Sequence, residues 1–457
     1  MYVQDLCHKL KRLLMSLYIN IYYINTFMQF TNNTPVSSVA RVTILSIFIL
    51  SSFITLAQNK AVPIKPIDTQ RVKEIELLLV DKPAGYGDPC NRREVWDKLL
   101  NSGVYDKFLK ETESFSFPKF SKEDYFSLSD GSAPSSARGL EMMRDRAKGL
   151  SRFTWAECLE NKDKYTQKVE DGLRDILNQS SWVSPRSDID FKNYKDISYT
   201  VELTSALYAH TIAQTLYLMR NKIDPKLQQD AMDALYLKIF HPVISSIQTK
   251  NTVESKFLVM TNNWNHVCLS GVVGAALTVI EDKTERAIFS WIGEYYSQNG
   301  LVSFEDDGYC SEGIGYFNYG IGHFMMLREN IWQATNGKLD LLSDDKIKKI
   351  ALYVPNIEII NGIYPPFSDS SFKNKPDSSI VSYLSRNLNV GLIEYDTLTF
   401  IGKTTDIRNN IMMAFPNSAS LAKPNKSDEN KVDYLRSFFA QSGVLVSRPM
   451  PNSSWMM

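Results

Sequence analysis

Residues 261–282 read TNNWNHVCLSGVVGAALTVIED, and this stretch decides the fold. After His266, about fourteen positions are apolar or small, whichever side of a helix they fall on. A helix that is apolar all round has no face suited to water, so the pattern predicts a helix buried on every side. Gly271, Gly274 and Ala275 leave room for the close approach of neighbouring helices. The stretch therefore predicts an interior helix surrounded by other helices.

The polar residues of this stretch crowd into the first turn of the predicted helix, at Asn262, Asn263, Trp264, Asn265 and His266. Helix N-termini favour anions through their free N–H groups and the helix dipole, so a carboxylate ligand suits this place. Amides, an imidazole and an indole at the start of a buried helix indicate the floor of a cleft. The alternative is that the asparagines cap the helix and the histidine is a core residue with satisfied hydrogen bonds.

A second polar stretch covers residues 306–323 and reads DDGYCSEGIGYFNYGIGH. Asp-Asp-Gly is a turn signal, and a helix after it would place one stripe of polar side chains on a single face. The members of this stripe are Glu312, Tyr316, Tyr319 and His323. A carboxylate, two phenols and an imidazole on one face indicate a functional surface. The alternative is an aromatic core stripe whose hydroxyl groups are satisfied locally.

The rest of the chain from about Thr69 to Met326 has helical periodicity, and few segments before residue 395 alternate with period two. Asp224-Pro225 is typical of a helix start, and His241-Pro242 predicts an interruption of the helix that follows. Ser343-Asp344-Asp345 predicts another helix start, and Pro355 predicts its end. Many helices joined by short loops predict a layered or toroidal all-α body.

Composition excludes several classes of protein. The 457 residues are 44% hydrophobic and 22% charged, which is ordinary globular usage. Lys plus Arg and Asp plus Glu each number 51, so the chain lacks the basic excess of a nucleic-acid-binding protein. Five cysteines are too few for a disulfide-dense scaffold, and no CxxC pair or other ligand cluster predicts a metal site. We therefore expect no nucleic-acid partner, no metal and no cofactor.

Residues 1–60 are predicted to serve in targeting. The run VTILSIFILSSFITLA at residues 42–57 follows Arg41 and is shorter than the roughly 20 residues of a spanning helix. It is typical of a secretory signal, with Met28 as a plausible start and a signal anchor as the alternative. Removing residues 1–57 would leave a net charge of −3. Export to the periplasm or the extracellular space predicts an oxidising compartment, in which the remaining four cysteines are either paired or buried as thiols.

The last forty residues follow another pattern. Residues 421–432 (LAKPNKSDENKV) are polar and predict a linker. A short helical piece is predicted around Tyr434 to Phe439, and residues 443–448 predict one β-strand. One strand cannot bury a face by itself, so residues 421–457 predict a linker and the start of a truncated β domain. The alternative is a terminal strand that lies on the helical body.

Together, NNWNHVC and DDGYCSEGIGYFNYG resemble the heparinase II/III-like polysaccharide lyases, and the similarity extends over roughly residues 90–450. SSWVSPRSD around Trp182 and PFSDSSF around Phe367 are similar to weaker landmarks of that family. The resemblance implies an (α/α) toroid followed by an antiparallel β-sandwich. It predicts an all-α fold in which residues 61–420 form an incomplete toroid of helical hairpins, followed by the stub of a β-sandwich.

The resemblance also implies β-elimination at a uronic acid in an acidic polysaccharide. Removing the C5 proton requires that the neighbouring carboxylate be neutralised, a role assigned by resemblance to Asn265 and His266. Tyr316 matches the tyrosine that protonates the leaving glycosidic oxygen and in some members also takes the proton; otherwise His266 is the candidate base. The candidate substrate-binding residues are Asn262, Asn263, Trp264, Glu312, Tyr319, His323 and Trp182.

Members of the family draw a further catalytic histidine from the β-sandwich. This sequence departs from the family there, because it is predicted to contain only the stub of that domain. We therefore expect activity impaired by truncation. Two other functions remain open. A glycoside hydrolase on a similar helical toroid needs two carboxylates flanking the bond, for which Asp306, Asp307 and Glu312 are available. The other is a non-catalytic sugar-binding remnant.

Overall fold

The computed structural model describes residues 61–360, 362–388, 390 and 435–448, which belong to one compact unit beginning at Ala61. This part of the chain is mostly helical, with one small two-stranded sheet, so the fold is all-α. Its helices are α1 Thr69–Leu78, α2 Arg93–Asn101, α3 Asp106–Glu113, α4 Lys122–Ser127, α5 Ala133–Glu160, α6 Thr166–Leu177, α7 Leu203–Met219, α8 Pro225–Leu235, α9 His241–Thr249, α10 Asn263–Val279, α11 Lys283–Leu301, α12 Ile314–Ala334, α13 Asp345–Ile357 and α14 Ser378–Leu388. Within the described ranges, no helix has the length and apolar character needed to cross a membrane.

Helix α10 is the interior helix that residues 261–282 predict. All of its residues from Asn265 to Thr278 are buried. Gly271 packs against the backbone of Ala206 on α7, where a Cβ would collide with the carbonyl group. This confirms that the small residues of α10 serve close helix packing, because only a missing side chain permits that approach.

Two neighbours of α10, the helices α7 and α12, run in the same direction as α10. Gly274, which follows Gly271 by one turn, lies against His210, which follows Ala206 by one turn on α7. On the other side, the start of α10 lies against Gly320 of α12, and Gly274 lies close to Asn330, three turns later. Residue numbers increase together along both contacts, so α7, α10 and α12 are parallel.

Helix α5 extends this parallel set beyond α7. The hydroxyl groups of Thr154 on α5 and Thr215 on α7 hydrogen bond at 3.1 Å. Two turns earlier, Arg146 interacts with Tyr208. Parallel neighbours require the chain to return between them, and α6, α8–α9 and α11 are the returning segments.

Predicted helix boundaries are confirmed at Asp224 and Asp344, whose carboxylates accept from the backbone N–H groups of Leu227 and Lys346. The predicted interruption at His241-Pro242 is wrong. Residues Tyr236–Phe240 form a π-helical turn that connects α8 directly to α9. A wider turn accommodates a proline, which has no N–H to donate, without ending the helix. Pro355 lies inside α13, which ends at Ile357.

The C-terminal segment differs from its prediction. Residues Arg436–Phe439, predicted as helical, form strand β1, which pairs antiparallel with β2, Val444–Ser447. The predicted single strand therefore has a partner within the chain. Residues 421–432, predicted as a linker, lie outside the described residues.

This hairpin packs on the helical body. The ring of Phe439 lies 5.1 Å from that of Tyr309 and 5.9 Å from that of Tyr353. The guanidinium of Arg448 donates to the carbonyl groups of Pro355, Asn356 and Glu358 at 2.8–3.1 Å. These are orphan carbonyls at the end of α13, which Arg448 satisfies.

A disulfide joins Cys90 to Cys158 at the C-terminal end of α5, while Cys268 and Cys310 are buried thiols. The guanidinium of Arg93 donates to the carbonyl groups of Cys90, Cys158 and Leu159 at 2.6–2.9 Å. Of the four cysteines predicted to be either paired or buried as thiols, two form a disulfide and two are buried thiols.

Candidate functional site

The N-terminal half of α12 has two faces, as the sequence predicts. Ile314, Phe317, Ile321 and Phe324 are 0–1% exposed and face the core. Tyr316 and Tyr319, by contrast, are half-buried and share the opposite face with His323, which is 8% exposed. The first turns of α12 thus present two phenols and an imidazole on a face that is partly open to solvent, and this face is the candidate site.

Glu312 precedes the helix and is not part of the helical stripe. Gly313 follows it with φ of +83°, and α12 begins at Ile314. Only glycine takes that backbone conformation readily, so Gly313 allows the turn that separates Glu312 from the helix. Burial raises the pKa of the Glu312 carboxyl, and the negative charge of Asp369 raises it further, against the lowering effect of a hydrogen bond from Asn263. Raised carboxyl pKa values are typical of functional sites.

Asn263 joins α10 to this face. Its Nδ2 lies 3.4 Å and 3.3 Å from the two carboxylate oxygens of Glu312. Asn263 is 6% exposed. A Cβ placed on Gly320 would lie 3.3 Å from the Cβ of Asn263. Gly320 therefore allows the first residue of α10 to reach the polar face of α12. Asn263 is the asparagine of the TNNWN segment that meets the stripe.

Asn265 is placed differently, and its predicted catalytic role is corrected. The side chain is 0% exposed. Its Nδ2 donates to the carbonyl of Phe257 at 3.0 Å, and its Oδ1 accepts from the N–H of Gly300 at 3.1 Å. Both ends of the amide thus hold backbone groups of the 3₁₀ turn Lys256–Val259 and of α11. The residue joins three elements and does not face the site.

His266 also belongs to the core, which corrects its predicted roles in carboxylate neutralisation and proton removal. It is 1% exposed, its Nε2 lies 2.9 Å from the carbonyl of Ser297, and its ring packs 4.9 Å from that of Phe324. Burial lowers the pKa of this imidazole to about 4, against the raising effect of the backbone carbonyls around it. The ring is neutral at neutral pH and enclosed by α11 and α12.

Three more of the predicted substrate-binding residues are Trp182, Asn262 and Trp264. Trp182 is 2% exposed, and its indole N–H donates to the carbonyl of Ile176 at 3.1 Å, so it packs in the core and offers no face to a sugar. Asn262 caps α10 by accepting from the N–H of Trp264 at 3.2 Å. Trp264 itself is half-buried, which leaves part of its ring exposed beside Asn263.

Tyr319 and His323 are held by residues that no local motif marks. The hydroxyl of Tyr319 accepts from Nη2 of Arg144 on α5 at 3.0 Å. The rings of Tyr319 and His323 meet edge-on at 5.0 Å, and Nδ1 of His323 lies 2.8 Å from Oγ of Ser270. Sequence reasoning missed Arg144, because it lies 175 residues from Tyr319 on a helix with several other basic residues.

The PFSDSSF segment covers the start of α12. Oγ of Ser370 accepts from the N–H of Gly315 at 3.1 Å, and the amide of Asn318 bonds the backbone of Lys375 and Asp377 at 2.7 Å and 2.9 Å. This docking places Asp369 near Glu312 and leaves Phe367 and Phe372 exposed, at 40% and 76%. Exposed aromatic rings beside a polar site are suited to stacking on sugar faces.

The acids Asp306 and Asp307 serve another contact. Both bind Gln441 of the terminal hairpin, through the backbone N–H of Asp306 at 2.6 Å and the carboxylate oxygens at 3.1 Å and 3.4 Å. Among the described residues, no group of three His, Cys, Asp or Glu side chains is placed to hold a metal ion.

Separate substitutions of Asn263 and Asn265 should have different effects on stability. Asn265→Ala removes two buried hydrogen bonds that join α10 to the 3₁₀ turn and to α11, so we expect a loss of about 2–3 kcal/mol in the free energy of unfolding. Asn263→Ala removes one longer bond at a partly open site, and we expect a loss of about 1 kcal/mol or less. Urea denaturation followed by circular dichroism measures both, and equal losses would contradict the two placements.

Comparison of the sequence with protein-family models and with curated proteins finds no match.

Proposed function

We propose that this chain is a polysaccharide lyase that cleaves a uronic-acid-containing polysaccharide by β-elimination. The observation that carries the proposal is the meeting of two distant segments. The amide of Asn263 binds the Glu312 carboxylate, and Tyr316 stands on the adjacent half-open face of α12. The resemblance of the same two segments to heparinase II/III-like lyases supports it. The proposed ligand is an acidic polysaccharide or oligosaccharide, with no cofactor.

The proposed architecture is an incomplete (α/α) toroid. The parallel helices α5, α7, α10 and α12 would form its inner layer, and the returning helices its outer layer. Parallel inner helices begin at one common end, so residues near their N-termini converge there. Asn263 and Tyr316 both lie near the N-termini of their helices, as a site at that end requires.

In the proposed reaction, Tyr316 acts as a phenolate that takes the C5 proton of the uronate and passes this same proton to the glycosidic oxygen on C4, which regenerates the phenolate. The C5–H and C4–O bonds break, a C4=C5 double bond forms, and the leaving sugar ends in a hydroxyl group. Tyr316 replaces His266 as the base because the imidazole is enclosed in the core. Glu312 orients the Asn263 amide, which is the proposed hydrogen-bond donor to the substrate. Hydrogen-bond donors aimed at developing charge supply a large share of such catalysis.

The product distinguishes the candidate functions. Purified protein is incubated with a panel of polyuronates, and ultraviolet absorbance of the unsaturated uronide is followed together with reducing ends. Absorbance and reducing ends that rise together support elimination. Reducing ends without absorbance support the hydrolase, and oligosaccharide binding with neither signal supports the sugar-binding remnant.

One observation favours the hydrolase as second candidate. Asp369 lies close enough to Glu312 for its charge to raise the Glu312 pKa. Two carboxyl groups, one of raised pKa, are the requirement for glycoside hydrolysis. In that case the pair would be Glu312 and Asp369, and not the aspartates that bind Gln441.

Substitution Glu312→Gln should make the protein more stable at neutral pH. The raised pKa means that the folded state disfavours the charged carboxylate, so folding stability falls as pH rises from the ordinary value of 4.5 through the folded value. Glutamine removes this cost. We expect a higher thermal midpoint than wild type at pH 7, and no gain below about pH 4.5, by differential scanning fluorimetry across pH.

The same variant should lose the acidic limb of the activity profile. In the wild type, lowering the pH protonates Glu312 and weakens its hold on the Asn263 amide, so turnover should fall there. For the stability prediction, a Glu312→Gln variant that is no more stable than wild type at pH 7 would contradict the unfavourable burial of the charged carboxylate.

We further propose that the protein is exported to the periplasm or the extracellular space. The Cys90–Cys158 disulfide supports this, because such bonds persist in oxidising compartments. The signal-like run at residues 42–57 lies outside the described residues.

A further inference from the structure

Arg144 is a half-buried cation held against the candidate site. It lies in the fourth turn of α5, and its Nη2 donates to the hydroxyl of Tyr319 at 3.0 Å. The carbon at the centre of the guanidinium lies 5.9 Å from the centre of the same ring. A guanidinium carries five N–H donors and stays charged in proteins, so four donors remain beside this bond, the one that Arg144 makes with described residues.

Three other basic residues of α5 have an acidic side chain nearby. Arg146 pairs with Asp175 at 2.8 Å, Lys148 pairs with Asp145 at 3.0 Å, and Arg152 lies 3.9 Å from Glu111. Arg144 has no carboxylate within 4.0 Å among the described residues. Partly burying a charge without a counter-ion costs free energy, which a functional ligand of opposite charge would offset.

Arg144 contacts a side chain that is itself anchored. Tyr319 packs edge-on against His323, which Ser270 of α10 holds by a 2.8 Å hydrogen bond. Tyr316 stands three residues before Tyr319 on the same face of α12. The guanidinium therefore lies against Tyr319, one helical turn after the proposed catalytic phenol on the same face.

We propose that Arg144 binds the carboxylate of the uronate whose C5 proton is removed. The inference rests on the proposed function and names the residue that recognises the acidic group. Asn265 and His266, buried in the core, do not reach a ligand on this face. A guanidinium meets a carboxylate with two parallel N–H···O bonds, which both orients the sugar and neutralises its charge.

The test measures binding to the full chain by titration calorimetry. The probes are unsulfated oligomers of glucuronate, galacturonate and mannuronate, and the same oligomers after reduction of their carboxyl groups to alcohols. Arg144→Gln should weaken binding of the best wild-type oligouronate by about 10- to 100-fold and leave binding of its reduced form unchanged. Arg144→Lys should fall between wild type and Arg144→Gln, because it keeps the charge and loses the two-bond geometry.

Arg138→Gln is the matched control, because Arg138 is an exposed arginine on the same helix without an acidic partner in the described residues. It should bind every probe as wild type does. Equal binding of the oligouronate by wild type and Arg144→Gln would overturn the inference, as would an equal loss for charged and reduced probes or a wild-type protein that binds none of the panel. If carboxylate-dependent binding through Arg144 is found without unsaturated product, the lyase proposal fails, and the part of the inference that stands is that Arg144 binds the carboxylate of an acidic sugar.

Discussion

Replacing Tyr316 by phenylalanine should lower kcat for β-elimination by a factor of about 10²–10⁴ and leave KM within a few-fold of wild type. The substitution removes one oxygen from a half-buried ring on the open face of α12. It removes the group that moves the proton in the transition state, while the contacts that bind the substrate remain. Loss confined to kcat is the signature of an interaction made in the transition state.

The measurement is initial rate by ultraviolet absorbance, with calorimetric binding of the same oligouronate in parallel. Tyr295→Phe serves as the control, because Tyr295 lies on another helix, α11, where its hydroxyl donates to the carbonyl of Pro63 at 3.1 Å. The control should turn over substrate as wild type does. A Tyr316→Phe variant that keeps more than about a tenth of wild-type turnover would exclude Tyr316 as the proton-transferring group.

The second large effect concerns a charge network inside the C-terminal half of α12. Arg328 is 2% exposed and Glu329 is 1% exposed. Nε and Nη2 of Arg328 bind the two carboxylate oxygens of Asp340 at 2.7 Å and 2.8 Å, and Nη1 lies 3.2 Å from Glu329. The hydroxyl of Tyr383 donates to the same Glu329 carboxylate at 2.6 Å. This network connects α12, α14 and the segment before α13.

Arg328→Met should lower the free energy of unfolding by about 3–5 kcal/mol, because it leaves Glu329 and Asp340 without their cation inside the fold. Burial first, and then the charge of Glu329, raises the pKa of the Tyr383 phenol well above its ordinary value, so Tyr383 stays a neutral donor and cannot offset the lost charge. Urea denaturation measures the effect. Arg138→Met on the exposed face of α5 is the control and should change stability by less than about 0.5 kcal/mol. A loss below about 1 kcal/mol for Arg328→Met would contradict the buried network.

Much of the fold was predictable from local pattern. Hydrophobic periodicity depends on which residues face water, and in a helix that is set by neighbours three and four positions away. For this reason the buried helix α10 and the two faces of α12 follow from residues 261–282 and 306–323 alone. The hairpin at residues 436–447 did not, because a four-residue strand becomes stable only through its partner strand and the aromatic side chains beneath it.

The site shows where sequence reasoning stops. The amides of Asn263 and Asn265 have the same chemistry, but in a helix they point about 200° apart, so a difference of two positions decides which of them reaches Glu312. The segment NNWN offers more than one asparagine as the cap, and only the tertiary structure selects Asn262.

By itself, the sequence determined that α10 is buried on all sides, that the body is helical, and that Tyr316, Tyr319 and His323 share a face, because these properties arise from spacing along one helix. The tertiary structure alone decided that Asn263 meets Glu312, that His266 is enclosed, and that Arg144 contacts Tyr319 from another helix. Contacts between distant segments depend on the packing of whole helices, and no local pattern along the chain encodes which distant residues meet.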